Sequence, residues 1–147
     1  MAITRAGQQD HGADFADLAG YVRGYEAGGY PVALVSELVC RECRGTVFRV
    51  FVDDDEGCAV AVCQSCKADN DIADSAEYFA DAELGECACP CGGEEFAAAV
   101  GFARHADGEV QWVSLGLRCL TDGTLGVYTD WKIDYGPTAH LLSQHPS

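Results

Sequence analysis

Apolar positions recur at helical spacing near the start of the chain and at strand spacing through most of the remainder. Phe15, Leu18, Val22 and Tyr25 fall at i, i+3, i+7 and i+10, which lines one face of a helix. Asp14 and Asp17 suit its first turn, where unpaired amides favour negative charge. Gly28-Gly29 and Pro31 are expected to stop it. Residues 1–13 read as a loose tail. A single short amphipathic helix is marginal in water, so it is expected to dock on the strands C-terminal to it.

Beyond the helix the period shortens to two. Residues 32–39 are apolar and β-branched and lead into Cys40. Residues 46–52 and 58–62 flank the turn signal Asp53-Asp54-Asp55-Glu56-Gly57, which predicts a β-hairpin ending at Cys63. Residues 67–73 read as polar loop. Asp74 followed by Glu77 matches a capping box and predicts a short helix over 75–83. The second half repeats the plan, with a strand over 96–104, a turn at 105–109 and a return over 110–117 towards Cys119. Leu125, Val127, Trp131, Ile133 and Tyr135 then alternate with polar or small residues, as a half-buried strand requires. Gly136-Pro137 ends that strand, and 139–142 can add one helical turn.

These elements predict an α+β protein with two antiparallel β units, an N-terminal helix and a short bridging helix. The expected segments are 1–31 (tail and docked helix), 32–84 (first β unit with its following helix) and 85–147 (second β unit, packed on the first). No low-complexity linker divides them.

A chain of 147 residues holds one small domain or two very small ones. Units of that size bury little apolar surface and often need a metal or disulfides. Nine cysteines offer either. The first residues carry no apolar run of the signal-peptide kind and no stretch is long enough to span a bilayer, which predicts a cytoplasmic, reducing setting. There, paired cysteines read as metal ligands.

The formal charge of −15, with only nine lysines and arginines, disfavours direct nucleic-acid binding and acidic membrane surfaces. It is compatible with a basic protein partner, and equally with solubility alone.

Cys40-Arg41-Glu42-Cys43 and Cys63-Gln64-Ser65-Cys66 form a paired C-x-x-C arrangement with a hairpin between them. Each turn points two sulfurs to one side, and the hairpin brings the turns together as a tetrahedral all-sulfur set suited to zinc. Arg41, Arg44 and Lys67 are expected to help keep the thiolates ionised. Buried inert thiols, a redox pair and an iron–sulfur cluster are the competing readings, and no βαβ pattern favours the redox pair. The second set comprises Cys89, Cys91, Cys119 and Asp122, with Cys87 as an alternative to Asp122. It either holds a second zinc or is a decayed site whose hairpin survives on its apolar core. Cys58 fits neither spacing and reads as a strand residue.

The 40–66 segment resembles the zinc-ribbon class, in which two knuckles and a β-hairpin hold a structural zinc. The stretch from Cys89-Pro90-Cys91-Gly92 through Val127 to Tyr135 resembles an uncharacterised group of small bacterial proteins with a second, related ribbon. The resemblance implies C-x-x-C where this chain has Cys119-Leu120-Thr121-Asp122, so Asp122 departs from the pattern. It implies a fold and a metal, and no reaction.

Catalytic constellations are missing from the sequence. His11, His105, His140 and His145 form no H-x-x-x-H, and there is no nucleophile elbow or phosphate-cradling loop. The expected function is therefore a non-catalytic, zinc-stabilised protein–protein interaction module. Its alternatives are an acidic inhibitor of a basic partner (an immunity protein or nucleic-acid mimic) and a metalloenzyme using the second, more open site.

Overall fold

A computed structural model describes residues 4–6, 9–27, 30–53, 55–104 and 109–133. Gly28, Gly29, Asp54, residues 105–108 of the turn expected at 105–109, and everything from Asp134 onward, including Tyr135 and the helical turn at 139–142, lie outside the described residues. The described part is mostly antiparallel sheet with one helix and two 3-10 turns, an α+β fold of β-rich character.

Helix α1 spans Phe15–Arg23 and opens where the sequence places it, with the Asp14 carboxylate accepting the Asp17 amide at 3.0 Å. It closes earlier than expected. The Gly24 amide bonds back to the Gly20 carbonyl at 3.2 Å, so Tyr25 leaves the helical stripe and its hydroxyl donates to Asp130. Leu18 and Val22 are fully buried.

The expected loose tail instead contains a small hairpin of β1 (Thr4–Ala6) and β2 (Gln9–His11). Its anchor is distant in sequence: the Gly12 amide donates to the Gly123 carbonyl at 2.8 Å, and His11 bridges Thr124. No local pattern could announce that partner. Strands β3 (Glu26–Ala27) and β4 (Tyr30–Pro31) form a second small pair.

The main sheet contains β5 (Leu34–Glu37), β6 (Phe48–Asp53), β7 (Cys58–Cys63), β8 (Asp69–Asp71), β9 (Gly85–Glu86), β10 (Phe96–Arg104), β11 (Val110–Cys119) and β12 (Leu125–Lys132). Its order is β12-β11-β10-β6-β7-β8, with β5 beside β10 and β9 beside β6. Thus β10 bonds to β11 on one side and to both β5 and β6 on the other. Strands from the two expected β units share one sheet.

The turn after β6 is tied by Asp53, whose carboxylate accepts the amides of Asp55 (2.9 Å), Glu56 (3.2 Å) and Glu83 (2.7 Å). Two expectations for the stretch after this hairpin are corrected. Part of the 67–73 loop is strand β8, and the bridging helix is two 3-10 turns, Ser75–Glu77 and Phe79–Asp81. Asp74 makes no side-chain cap; its carboxylate accepts the Trp131 indole N–H at 3.0 Å. Ser75 Oγ accepts the Ala59 amide at 2.8 Å. The side chains that would open a helix tie this segment to β7 and β12 instead.

The larger core cluster lies among the hairpin strands, around Phe48, Val50, Phe96, Phe102, Leu115 and Leu117. The smaller one joins Leu18, Ala19 and Val22 of α1 to Val35, Ala99 and Leu125 on the sheet. The helix can sit this close because glycine lies beneath it. A Cβ on Gly101 or Gly116 would come within 2.7 Å or 2.3 Å of the Val22 methyl groups. Among the described residues, no helix is long and apolar enough to cross a membrane.

Candidate metal centres

Both expected ligand sets converge. The donor atoms of Cys40, Cys43, Cys63 and Cys66 lie within 4.8 Å of one another, as do those of Cys89, Cys91, Cys119 and Asp122. Each set can hold a metal ion, and the donor chemistry is compatible with zinc. None of the cysteines is disulfide-bonded. Cys87 lies in the core beside β6 and is outside the second set, and Cys58 is a buried strand residue.

Four tight turns present the donors, and three share one backbone plan. In each, the amide of the first ligand donates to the carbonyl five residues on: Cys40 to Gly45 (2.9 Å), Cys63 to Ala68 (3.0 Å), Cys119 to Thr124 (2.9 Å). The residue after the second ligand donates back to the first ligand's carbonyl: Arg44 to Cys40 (3.0 Å), Lys67 to Cys63 (2.9 Å), Gly123 to Cys119 (2.8 Å). That residue is left-handed each time, with φ of 64°, 66° and 81°. Arg44 and Lys67 accept this conformation at a cost of roughly 1–2 kcal/mol each, a strain that persists only where the surroundings dictate it. The fourth turn, Cys89-Pro90-Cys91, is one residue shorter. It closes through Cys89 N–H to Gly93 O (2.8 Å) and carries its left-handed residue at Gly92, φ 95°.

In the first set the sulfurs of Cys40 and Cys66 are 3.6 Å apart and those of Cys43 and Cys63 are 3.4 Å apart. In the second, Cys91 and Cys119 sulfurs are 3.6 Å apart, and Cys89 Sγ lies 3.6 Å from Asp122 Oδ1. Sulfurs bound tetrahedrally at about 2.3 Å from one zinc stand roughly 3.8 Å apart, whereas a disulfide needs about 2.05 Å. The spacing suits shared coordination.

The groups that stabilise thiolate charge are amides, not the cations expected from the sequence. Arg41 turns its guanidinium to Asp71 (3.0 Å) and Lys67 Nζ reaches Gln64 Oε1 (3.4 Å). The amides of Glu42, Gly93 and Thr121 donate to Cys40, Cys91 and Cys119 sulfur, each at 3.4 Å. Burial pushes the Cys40 thiol up, but the amides of Cys43 and Glu42 and the Asn70 side chain outweigh it and bring it to about 6. The Cys66 amide likewise lowers Cys63. Cys43 behaves oppositely: the Gly45 amide lowers it, but the Cys63 and Cys66 sulfurs carry it up to about 12. Sulfurs this close can all ionise together only with a cation among them.

Asp122 is held well below the usual carboxylate range, first by the Thr124 amide (3.0 Å to Oδ1) and then by the Thr124 hydroxyl. It is therefore an ionised, oriented donor. Sequence reasoning missed Thr124 in this role. It also missed Asn70, which is fully buried, donates to Cys40 sulfur at 3.6 Å and accepts the Arg41 amide at 3.0 Å. Asn70 stands four residues after Cys66, and its only sequence signal was a lone amide in an acidic stretch. Of the histidines, only His11 is described; its Nε2 lies 3.2 Å from Thr124 Oγ1, behind the Asp122 turn.

Compared with family models, curated proteins and solved structures, the chain matches none.

Proposed function

We infer that this protein is a zinc-stabilised interaction module: two ribbon-like β units, each closed by one zinc ion, that offer an acidic surface to a protein partner. The observation that carries the reading is the pair of converged four-donor sets. Cys40, Cys43, Cys63 and Cys66 would hold the first ion, and Cys89, Cys91, Cys119 and Asp122 the second. Each ion would cross-link segments that lie far apart in sequence and neutralise donors that otherwise repel.

Both sets offer four protein donors, which is the composition of a structural zinc site rather than one keeping a position for substrate. Asp122 is anchored by Thr124, which supports a fixed ligand over an exchangeable one. Exposed carboxylates at Glu42, Asp55, Glu77, Asp81, Glu94 and Glu95 leave the surface strongly negative, which suits a basic partner and supports the inhibitor reading as a variant of the same function.

Native mass spectrometry of the reduced chain is expected to show two zinc ions, and a strong chelator to unfold it. Structural zinc contributes on the order of 10 kcal/mol, comparable to the whole stability of a small domain. A metal-free chain that stays folded contradicts the metal reading. A turnover activity abolished by Asp122→Ala contradicts the non-catalytic one.

A further inference from the structure

Cys63, Phe48, Phe96 and Cys119 stand in one row across the main sheet. Cys63 opposes Phe48, Phe48 opposes Phe96, and Phe96 opposes Cys119. Directly opposed residues project from the same face of a sheet, and all four are 0% exposed. Three steps of about 5 Å put the two cysteines roughly 15 Å apart. One belongs to each ligand set.

The row lies at strand ends. Phe48 and Phe96 begin β6 and β10, while Cys63 and Cys119 end β7 and β11. Phe48–Phe96 is also the one register pair between β6 and β10 among the described residues. The hairpin of the first site and the hairpin of the second therefore meet in the ladder only here. On the far side of Phe96, Tyr128 of β12 packs edge-on, with ring centroids 5.4 Å apart.

Building on the two-ion reading, we propose that the two metal sites are coupled through Phe48 and Phe96, so that an ion in one raises the affinity of the other. An ion at the first site fixes the Cys40 and Cys63 turns and so sets the end of β7 and the position of Phe48. An ion at the second site sets Cys119 and the end of β11, and so Phe96. Keeping Phe48 and Phe96 opposed and buried in the ladder requires both strand ends in register. The first ion meets that ordering cost, and the second finds the row already made. Linkage makes the effect reciprocal.

The test is zinc titration of the metal-free, reduced full chain against a chromophoric chelator. In Cys91→Ser, which cripples the second site, the first site is expected to weaken roughly tenfold, within the usual range of such coupling. In Cys43→Ser the second site should weaken by the same factor. Phe96→Leu keeps both ligand sets and is expected to split one cooperative saturation into two steps, which serves even if a serine variant fails to fold. Two ions binding wild type in independent steps, with neither serine substitution affecting the other site, overturn the coupling and leave the two-zinc reading standing. A wild-type stoichiometry below two overturns both.

Discussion

Asp122 stands to Cys119 as Cys66 stands to Cys63. Each is the fourth residue of a turn closed by the same two backbone bonds, and each is followed by a left-handed residue, Gly123 or Lys67. The turn geometry has been kept while the donor differs. A carboxylate in this place still carries the charge and reach of a ligand, though it is harder than a thiolate.

Asp122→Cys is accordingly expected to keep two zinc ions per chain and to release the second more slowly to a chelator. Asp122→Ala should lose that ion at chelator concentrations that spare the first. Native mass spectrometry along a chelator series reads both. If neither substitution alters the second ion, Asp122 is not a ligand.

How legible each feature was in the sequence depends on how far its signal reaches. The Phe15–Arg23 helix and the Phe96–Arg104 strand were visible because their apolar period is local, as is the Asp14 signal that opens the helix, whereas the Gly24 close was read four residues late. The convergence of Cys40, Cys43, Cys63 and Cys66 was visible because C-x-x-C spacing is dictated by a turn of a few residues. The β1–β2 hairpin was hidden because its anchor, Gly123, lies more than a hundred positions away. The capping box misled for a similar reason: Trp131, 57 residues on, takes the Asp74 carboxylate that a helix would have used. The thiolate donors were misassigned because charge shows in a sequence and backbone amides do not.

Asp74→Ala removes the acceptor of a buried indole N–H, and is expected to destabilise the protein by about 1–3 kcal/mol. Glu77→Ala, the other half of the apparent capping box, is exposed and should change stability by less than about 0.5 kcal/mol. Urea denaturation of zinc-loaded protein compares the two. Equal losses would restore the helix-capping account.

The contact between Val22 and Gly116 sets how closely α1 lies on the sheet. A methyl on Gly116 would meet Val22 Cγ2 at 2.3 Å, so the valine or the helix that carries it must shift. Gly116→Ala should cost about 1–3 kcal/mol through overpacking. Adding Val22→Ala makes room, so the double variant should be more stable than the sum of the single losses predicts, by roughly 1 kcal/mol or more. Additive losses would mean that the helix shifts freely and that this contact does not position it.

Tyr25 fastens the chain after α1 to β12 by donating its hydroxyl to Asp130. The hydrogen bond to Asp130 is the main cause of a phenol raised from 10.0 to about 12, with burial and the Asp130 charge adding to it. A folded state that holds this proton more firmly than the unfolded chain draws stability from it in full below pH 10. That contribution fades as pH climbs from 10 towards 12. Tyr25→Phe should cost about 1 kcal/mol near neutrality, the net worth of one such bond. The gap between wild type and variant should then close above pH 10. Tyr128, whose hydroxyl burial also raises, is common to both proteins and cancels in the comparison. Denaturation midpoints taken from pH 8 to about 11 in wild type and Tyr25→Phe measure the gap directly, and a gap that stays constant across that range contradicts the Tyr25–Asp130 bond as its source.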